Sequence, residues 1–183
     1  MGGGAVATCG RLATRAGGRT TLLEETPELA ALVAAGREVM SVFPVVPGAC
    51  VMMSALYASR LRAMGHADAR LVGGTLSIAG RLVFGRREAR HSFAQTDLEW
   101  DGHAWVCLGG LIADASLLRT GRSPRAPSSL RALVSARFGP NQGLYIATAK
   151  AALEDGLRYG PQHTLSDAAL DACVRGATTF LEK

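Results

Sequence analysis

No two of the four cysteines, Cys9, Cys50, Cys107 and Cys173, lie near one another in the sequence, so the chain has no CxxC. That excludes a zinc ribbon and a thioredoxin-like redox pair. HExxH is missing as well, and His163, Asp167 and Asp171 share a helical face only if one helix begins unusually early, so neither a metal nor a cofactor is expected. No stretch approaches the roughly 18 consecutive apolar residues of a membrane span. Aromatic residues make up only 5% of the chain, which leaves too few rings for the stacking platforms of a single-strand nucleic-acid binder. Lysine is nearly absent: 18 of the 20 basic residues are arginine. The formal charge of +5 is spread over several segments, which reads as a solvated, arginine-rich surface and argues against nucleic acid as a partner. The first 20 residues carry arginine and no acid but no continuous apolar core. They read as a disordered head, and the expected setting is a cytoplasm with reduced thiols.

What the chain does have is 48% apolar residues, enough for one domain over residues 21–183. Thr26, Pro27 and Glu28 form a helix start, and Leu29, Leu32, Val33, Val39, Met40 and Phe43 recur at helical spacing behind it. Pro44 and Pro47 end that helix. A second begins abruptly at Pro-Gly-Ala-Cys50, with Met53, Leu56, Tyr57, Leu61 and Met64 as its stripe and Gly65 as a stop. Residues 69–85 read as two strands turning at Ala79-Gly80. After a polar loop, "LEW", "HAWVCL" and "LIADAS" read as three more strands, joined at Asp101-Gly102 and Gly109-Gly110. The stretch after Leu118, rich in Arg, Pro and Ser, reads as a surface loop. A helix capped by Ser128 or Ser129 follows it, and two more are expected around 144–158 and 166–182, the last capped by Ser166. Helices and an antiparallel meander are segregated along the chain, which predicts an α+β fold.

A two-residue turn at Gly109-Gly110 fixes which side chains share a face. Val106 then faces Ala113, and Trp105 faces Asp114. His103, Trp105 and Cys107 lie on one surface with Ile112, Asp114 and Ser116. Asp114 is the diagonal neighbour of His103, close enough for a carboxylate to hold an imidazole. A carboxylate on one ring nitrogen leaves the other free as a base. Ser116, directly opposed to His103, is an alternative holder. Cys50 has the setting of a nucleophile: the open N–H groups of a helix start favour thiolate and can hold an oxyanion. Cys107 shares the face of His103 and is the rival thiol.

The order Cys, His, Asp, with Cys opening a helix and the others on a strand hairpin, resembles the transglutaminase-like branch of the papain-like thiol enzymes. The resemblance rests on "GACVMMSALYASRLRAMGHADARLVGG" and "HAWVCLGGLIADAS", and spans roughly residues 46–118. The helix and "HAWV" are also similar to leader peptidases of lasso-peptide maturation. It implies a papain/transglutaminase-like α+β fold, with the Cys-bearing helix packed on a small antiparallel sheet and further helices at the C-terminus. It makes Cys50 the nucleophile, His103 the base and then acid, and Asp114 the orienting carboxylate of a thiol acyl-transfer enzyme. The substrate implied is a peptide, protein or small amide or ester. Trp105, Gln95 and Ser116 are the residues expected to touch it, with the 85–97 loop, including His91, and the 119–131 loop as the lips of the groove. The segment before Cys50 has no Gln to support the oxyanion, a departure from the papain pattern. The alternative is a catalytically inactive domain of the same fold that binds an acidic partner through its arginines.

Overall fold

The computed structural model describes residues 26–46, 48–85 and 102–183, with the backbone of two further two-residue strands, β1 (Arg15–Ala16) and β2 (Arg19–Thr20), which pair with each other. The predicted "LEW" strand, His91 and Gln95 lie outside the described residues.

Helix α1 spans Pro27–Val42, and the Thr26 hydroxyl accepts the Leu29 N–H at 3.2 Å as an N-cap should. Its buried stripe, Leu29, Leu32, Ala35 and Val39, packs on α2 (Cys50–Ala63). Gly36 sits inside α1 because a Cβ there would stand 2.9 Å from the Tyr57 hydroxyl and 2.7 Å from Leu144. That close approach lets Tyr57 donate to the Leu32 carbonyl at 2.5 Å and ties the two helices.

All pairings in the main sheet are antiparallel. β3 (Arg70–Ile78) is its spine: β5 (His103–Leu108) runs along its first half, β4 (Arg81–Phe84) pairs with its second half, and β8 (Leu157–Thr164) covers the opposite edge. β6 (Leu111–Asp114) and β7 (Tyr145–Thr148) extend the sheet beyond β5. The turns at Ala79-Gly80 and Gly109-Gly110 both have two residues with positive φ, the hairpin geometry that matches strand twist.

The sheet has two buried faces. Leu71, Ala104, Val106, Leu108, Ala113 and Ile146 meet α1, α2 and the C-terminal helix α6 (Asp167–Leu181). On the other face, Leu76, Ile78, Tyr145 and Leu157 meet α3 (Leu117–Arg122), α4 (Ser128–Arg137) and α5 (Ala149–Glu154). The fold is α+β, with a six-stranded antiparallel sheet and six helices among the described residues.

Three expectations need correction. Residues 144–158 are not one helix: they hold β7, the short α5 and the start of β8. The alanine-rich centre favours helix, but Tyr145 and Ile146 bury against opposite faces of the sheet, and tertiary burial overrides propensity there. Residues 119–122, expected in a loop, belong to α3, which the fully buried Leu117 and Leu118 anchor. Neither Ser128 nor Ser129 caps α4, whose N-cap position is Pro127 with no side-chain bond. Ser166 does cap α6, accepting the Ala169 N–H at 3.3 Å.

Candidate active site

Cys50 is the first residue of α2, and the preceding Ala49 offers no capping side chain. The first-turn N–H groups of a helix have no intrahelical partner, so they remain for a ligand beside the sulfur. One turn later the Ser54 hydroxyl donates to the Ala104 carbonyl at 3.1 Å. That bond pins α2 against the start of β5, and Cys50 is near enough to His103 to help raise its imidazole.

The hairpin has the register expected from its turn: Val106 opposes Ala113, Cys107 opposes Ile112 and Leu108 opposes Leu111. Asp114 ends β6 on the face of His103, and its Oδ2 lies 2.5 Å from His103 Nε2. Nδ1 is therefore the nitrogen left for Cys50. Both members of the pair are buried, His103 to 2% exposure and Asp114 to 0%.

Asp114 is held at both oxygens. Oδ1 accepts the Ser116 N–H at 2.9 Å, the Ser116 hydroxyl at 3.0 Å and the Leu117 N–H at 2.8 Å. These bonds make an Asx turn that leads into α3, whose N-cap position, Ser116, has no side-chain cap bond. Oδ2 accepts the Tyr159 hydroxyl at 3.1 Å alongside His103. Burial alone would push the Asp114 carboxyl up, but the His103 charge and these hydrogen bonds outweigh it and hold it low. Burial likewise works against a charged His103, and Asp114, with Cys50, overrides it, raising the imidazole to about 10.

Rings surround the imidazole. Phe84 stacks on it at 5.5 Å between centroids, Trp105 lies parallel at 6.3 Å and Tyr159 is tilted at 6.2 Å. Trp105 was expected at the substrate. It is instead 1% exposed and packed with Val72 and Ile112, behind the histidine. Ser116, the other described residue expected at the substrate, is bonded to Asp114 and not to His103. The sequence reading missed Tyr159, because Gly160-Pro161 hid the strand that carries it.

Cys107 shares the strand face of His103, but burial raises its thiol and it packs with Val72, Trp105 and Ile112. Among the described residues no three His, Cys, Asp or Glu side chains come together as a metal-binding group. Asp167 is in the first turn of α6, paired with Arg62 at 2.7 Å. No helix of the described residues is long and apolar enough to cross a membrane.

A cavity of about 190 Å³ opens at the start of α2; Cys50, His103 and Asp114 are not in its lining, but their neighbours Ala49, Phe84 and Ser116 are. Gly48, Ala49 and Met53 from the start of α2 form one wall, with Phe84 and Ser116 next to the His-Asp pair. Thr120, Ser123 and Arg125 also line it. Residues 119–127 of the segment expected as a lip supply six of its lining residues. Comparison with protein-family models, curated proteins and solved structures finds no match.

Proposed function

We propose that the chain is a thiol-dependent acyl-transfer enzyme with a Cys50-His103-Asp114 triad, built on a papain/transglutaminase-like arrangement. The observation that carries this reading is the convergence of three side chains from three elements, in the order nucleophile, imidazole, carboxylate, next to an open cavity. An Asp and a His on one strand face are often only a structural pair. A cysteine brought to the remaining ring nitrogen by a separate helix is what a structural pair does not need.

The raised imidazole sets the division of labour. His103 holds the proton at neutral pH, so the sulfur attacks the substrate carbonyl carbon and a C–S bond forms. The oxyanion sits at the first-turn N–H groups of α2. His103 then gives its proton to the leaving nitrogen or oxygen as the C–N or C–O bond breaks, leaving a thioester on Cys50. The neutral imidazole next takes a proton from water or an amine, whose oxygen or nitrogen attacks the thioester. The C–S bond breaks, and an acid or a new amide departs. Asp114 stays ionised throughout and stabilises the imidazolium.

The test is labelling with an acyl-directed electrophile and mass spectrometry of the modified residue. Cys50 should be the modified residue in the parent chain, and His103→Ala should slow its labelling. If Cys50 stays unmodified, the alternative of an inactive domain that binds an acidic partner through Arg122, Arg125 and Arg131 takes its place.

A further inference from the structure

We propose, resting on the acyl-transfer reading, that the cavity beside Cys50 selects a substrate whose residue next to the reacting carbonyl carries an acidic side chain. The size comes first. At about 190 Å³ the cavity is smaller than the roughly 300–1,000 Å³ of sites that enclose a whole small molecule, so it suits one side chain and not an entire substrate. Its position comes second. Gly48 and Ala49 in its wall immediately precede Cys50, and Phe84 in its wall stacks on His103. A side chain seated there belongs to the residue at the reacting carbonyl or directly beside it.

The chemistry of the lining decides the class. The linker from α1 contributes Pro44, Val45 and Val46, and α2 adds Met53, which together make an apolar wall. Val45 is 71% exposed at the rim. The 119–127 segment adds the polar and cationic residues Arg119, Thr120, Ser123 and Arg125, together with Ala126 and Pro127. No Asp or Glu is among the described lining residues.

The two arginines are not equivalent. Arg119 donates to the Phe43 carbonyl at 2.8 Å and to the Met40 carbonyl, so it is a strut between α3 and the end of α1. The Arg125 side chain has no ion pair or hydrogen bond among the described residues, while its backbone N–H donates to the Ser123 hydroxyl at 3.3 Å and fixes the turn. Asp114 lies behind Ser116 with its charge engaged by His103 and its hydrogen bonds filled. A short apolar stem against Val46 and Met53, ending in a carboxylate at Arg125, therefore matches this lining. A lysine side chain would place its charge against Arg125, and a purely aliphatic one would leave the guanidinium unpaired.

The experiment compares three N-acetyl chloromethyl ketones that differ only in the side chain next to the ketone: that of glutamate, of its neutral isostere glutamine, and of lysine. In each the Cys50 sulfur displaces chloride and forms a thioether, so intact mass and peptide mapping read the rate at that residue. The glutamate probe should label Cys50 roughly tenfold faster than the glutamine probe, as a charge-assisted hydrogen bond allows, with lysine slowest. Salt should narrow the gap, because the pair is partly exposed. Arg125→Glu, a change at an exposed position, should reverse the order of the glutamate and lysine probes. Equal rates for all three at Cys50 would overturn the pocket proposal and leave the acyl-transfer reading standing, as would an Arg125→Glu variant slowed uniformly across the three. If neither these probes nor iodoacetamide modify Cys50, the acyl-transfer reading falls, and the pocket proposal falls with it.

Discussion

Tyr159 and His103 donate to the same oxygen of Asp114, the phenol at 3.1 Å and the imidazole Nε2 at 2.5 Å. A carboxylate oxygen can accept both, but they compete for its charge. Tyr159→Phe removes one donor without opening a cavity and leaves more of that charge for the imidazolium. The variant should stay folded, at a cost of about 1 kcal/mol for the lost buried hydrogen bond. The alkaline limit of Cys50 reactivity should move to higher pH, because His103 holds its proton more firmly. A reactivity profile that superposes on the parent would mean that the phenol only fills space.

Stability should fall as the pH rises from neutral. His103 is raised in the folded chain to about 10, against about 6.5 in an unfolded one. Its contribution is fully present below about 6.5 and is lost as the pH climbs through about 10, because the native state then holds a proton that the unfolded state has released. Asp114 is shifted the other way. Its contribution is present above its unfolded value and is lost only as acid reaches its depressed folded value. Urea denaturation at pH 6, 8 and 9.5 measures this. Parallel curves for the parent and an Asp114→Asn chain would show that the pair does not set the slope.

Asp114 has two tasks, and its variants should separate them. Asparagine keeps an acceptor for the Ser116 and Leu117 N–H groups but loses the charge opposite His103. Breaking a buried ion pair from one side costs about 3–5 kcal/mol. Asp114→Ala also loses the acceptor for the Ser116 and Leu117 N–H groups, worth about 1 kcal/mol more. Both should lower the thermal midpoint, alanine further. Asparagine should retain some Cys50 labelling, since the ring keeps its neighbours Phe84 and Trp105.

How much of this could be read from residues alone depends on range. The hairpin was readable because Gly109-Gly110 admits one turn geometry, and a period of two then fixes every face. Helix α1 was readable because its cap, proline and stripe agree. Cys50 and His103 are 53 positions apart, and no local pattern brings them together. Only the Ser54 bond to the Ala104 carbonyl shows how that distance closes. β8 was hidden because Gly160 and Pro161 are poor strand residues. They are tolerated there because β8 pairs with β3 on one side, as an edge strand can. Trp105 read as a substrate contact because an aromatic near a histidine fits either role. Burial decided it.

The β3–β8 crossing carries Tyr159 and has little room. A Cβ on Gly74 would stand 2.1 Å from the Gly160 carbonyl oxygen, which is backbone and cannot swing aside. Gly74 also pairs with His103 across β3 and β5. Gly74→Ala should therefore push β8 outward, draw Tyr159 from Asp114 and lower stability by about 1–3 kcal/mol. Hydrogen exchange should rise along β8 before the rest of the sheet. Unchanged exchange in β8 with full stability would show that the crossing has slack.

The cysteines themselves give the sharpest check on the site. Cys107 and Cys173 are both raised by burial, and a thiol in that state is a poor nucleophile at neutral pH. Cys50 is half-buried, opens a helix and helps to raise the imidazole of His103. In a Cys9→Ser background, which removes the thiol outside the described residues, iodoacetamide at pH 7 should modify Cys50 well ahead of the other two. Cys50→Ala should abolish the fast phase and leave the thermal midpoint close to the parent, since a helix-start cysteine contributes little packing. His103→Ala should slow the phase about as severely, because nucleophile and imidazole act as a unit and their losses do not add. Trp105→Ala should act through the fold instead, losing about 3–5 kcal/mol with the buried indole. A fast phase that survives Cys50→Ala and disappears in Cys107→Ala would transfer the nucleophile to Cys107, and the triad would have to be abandoned.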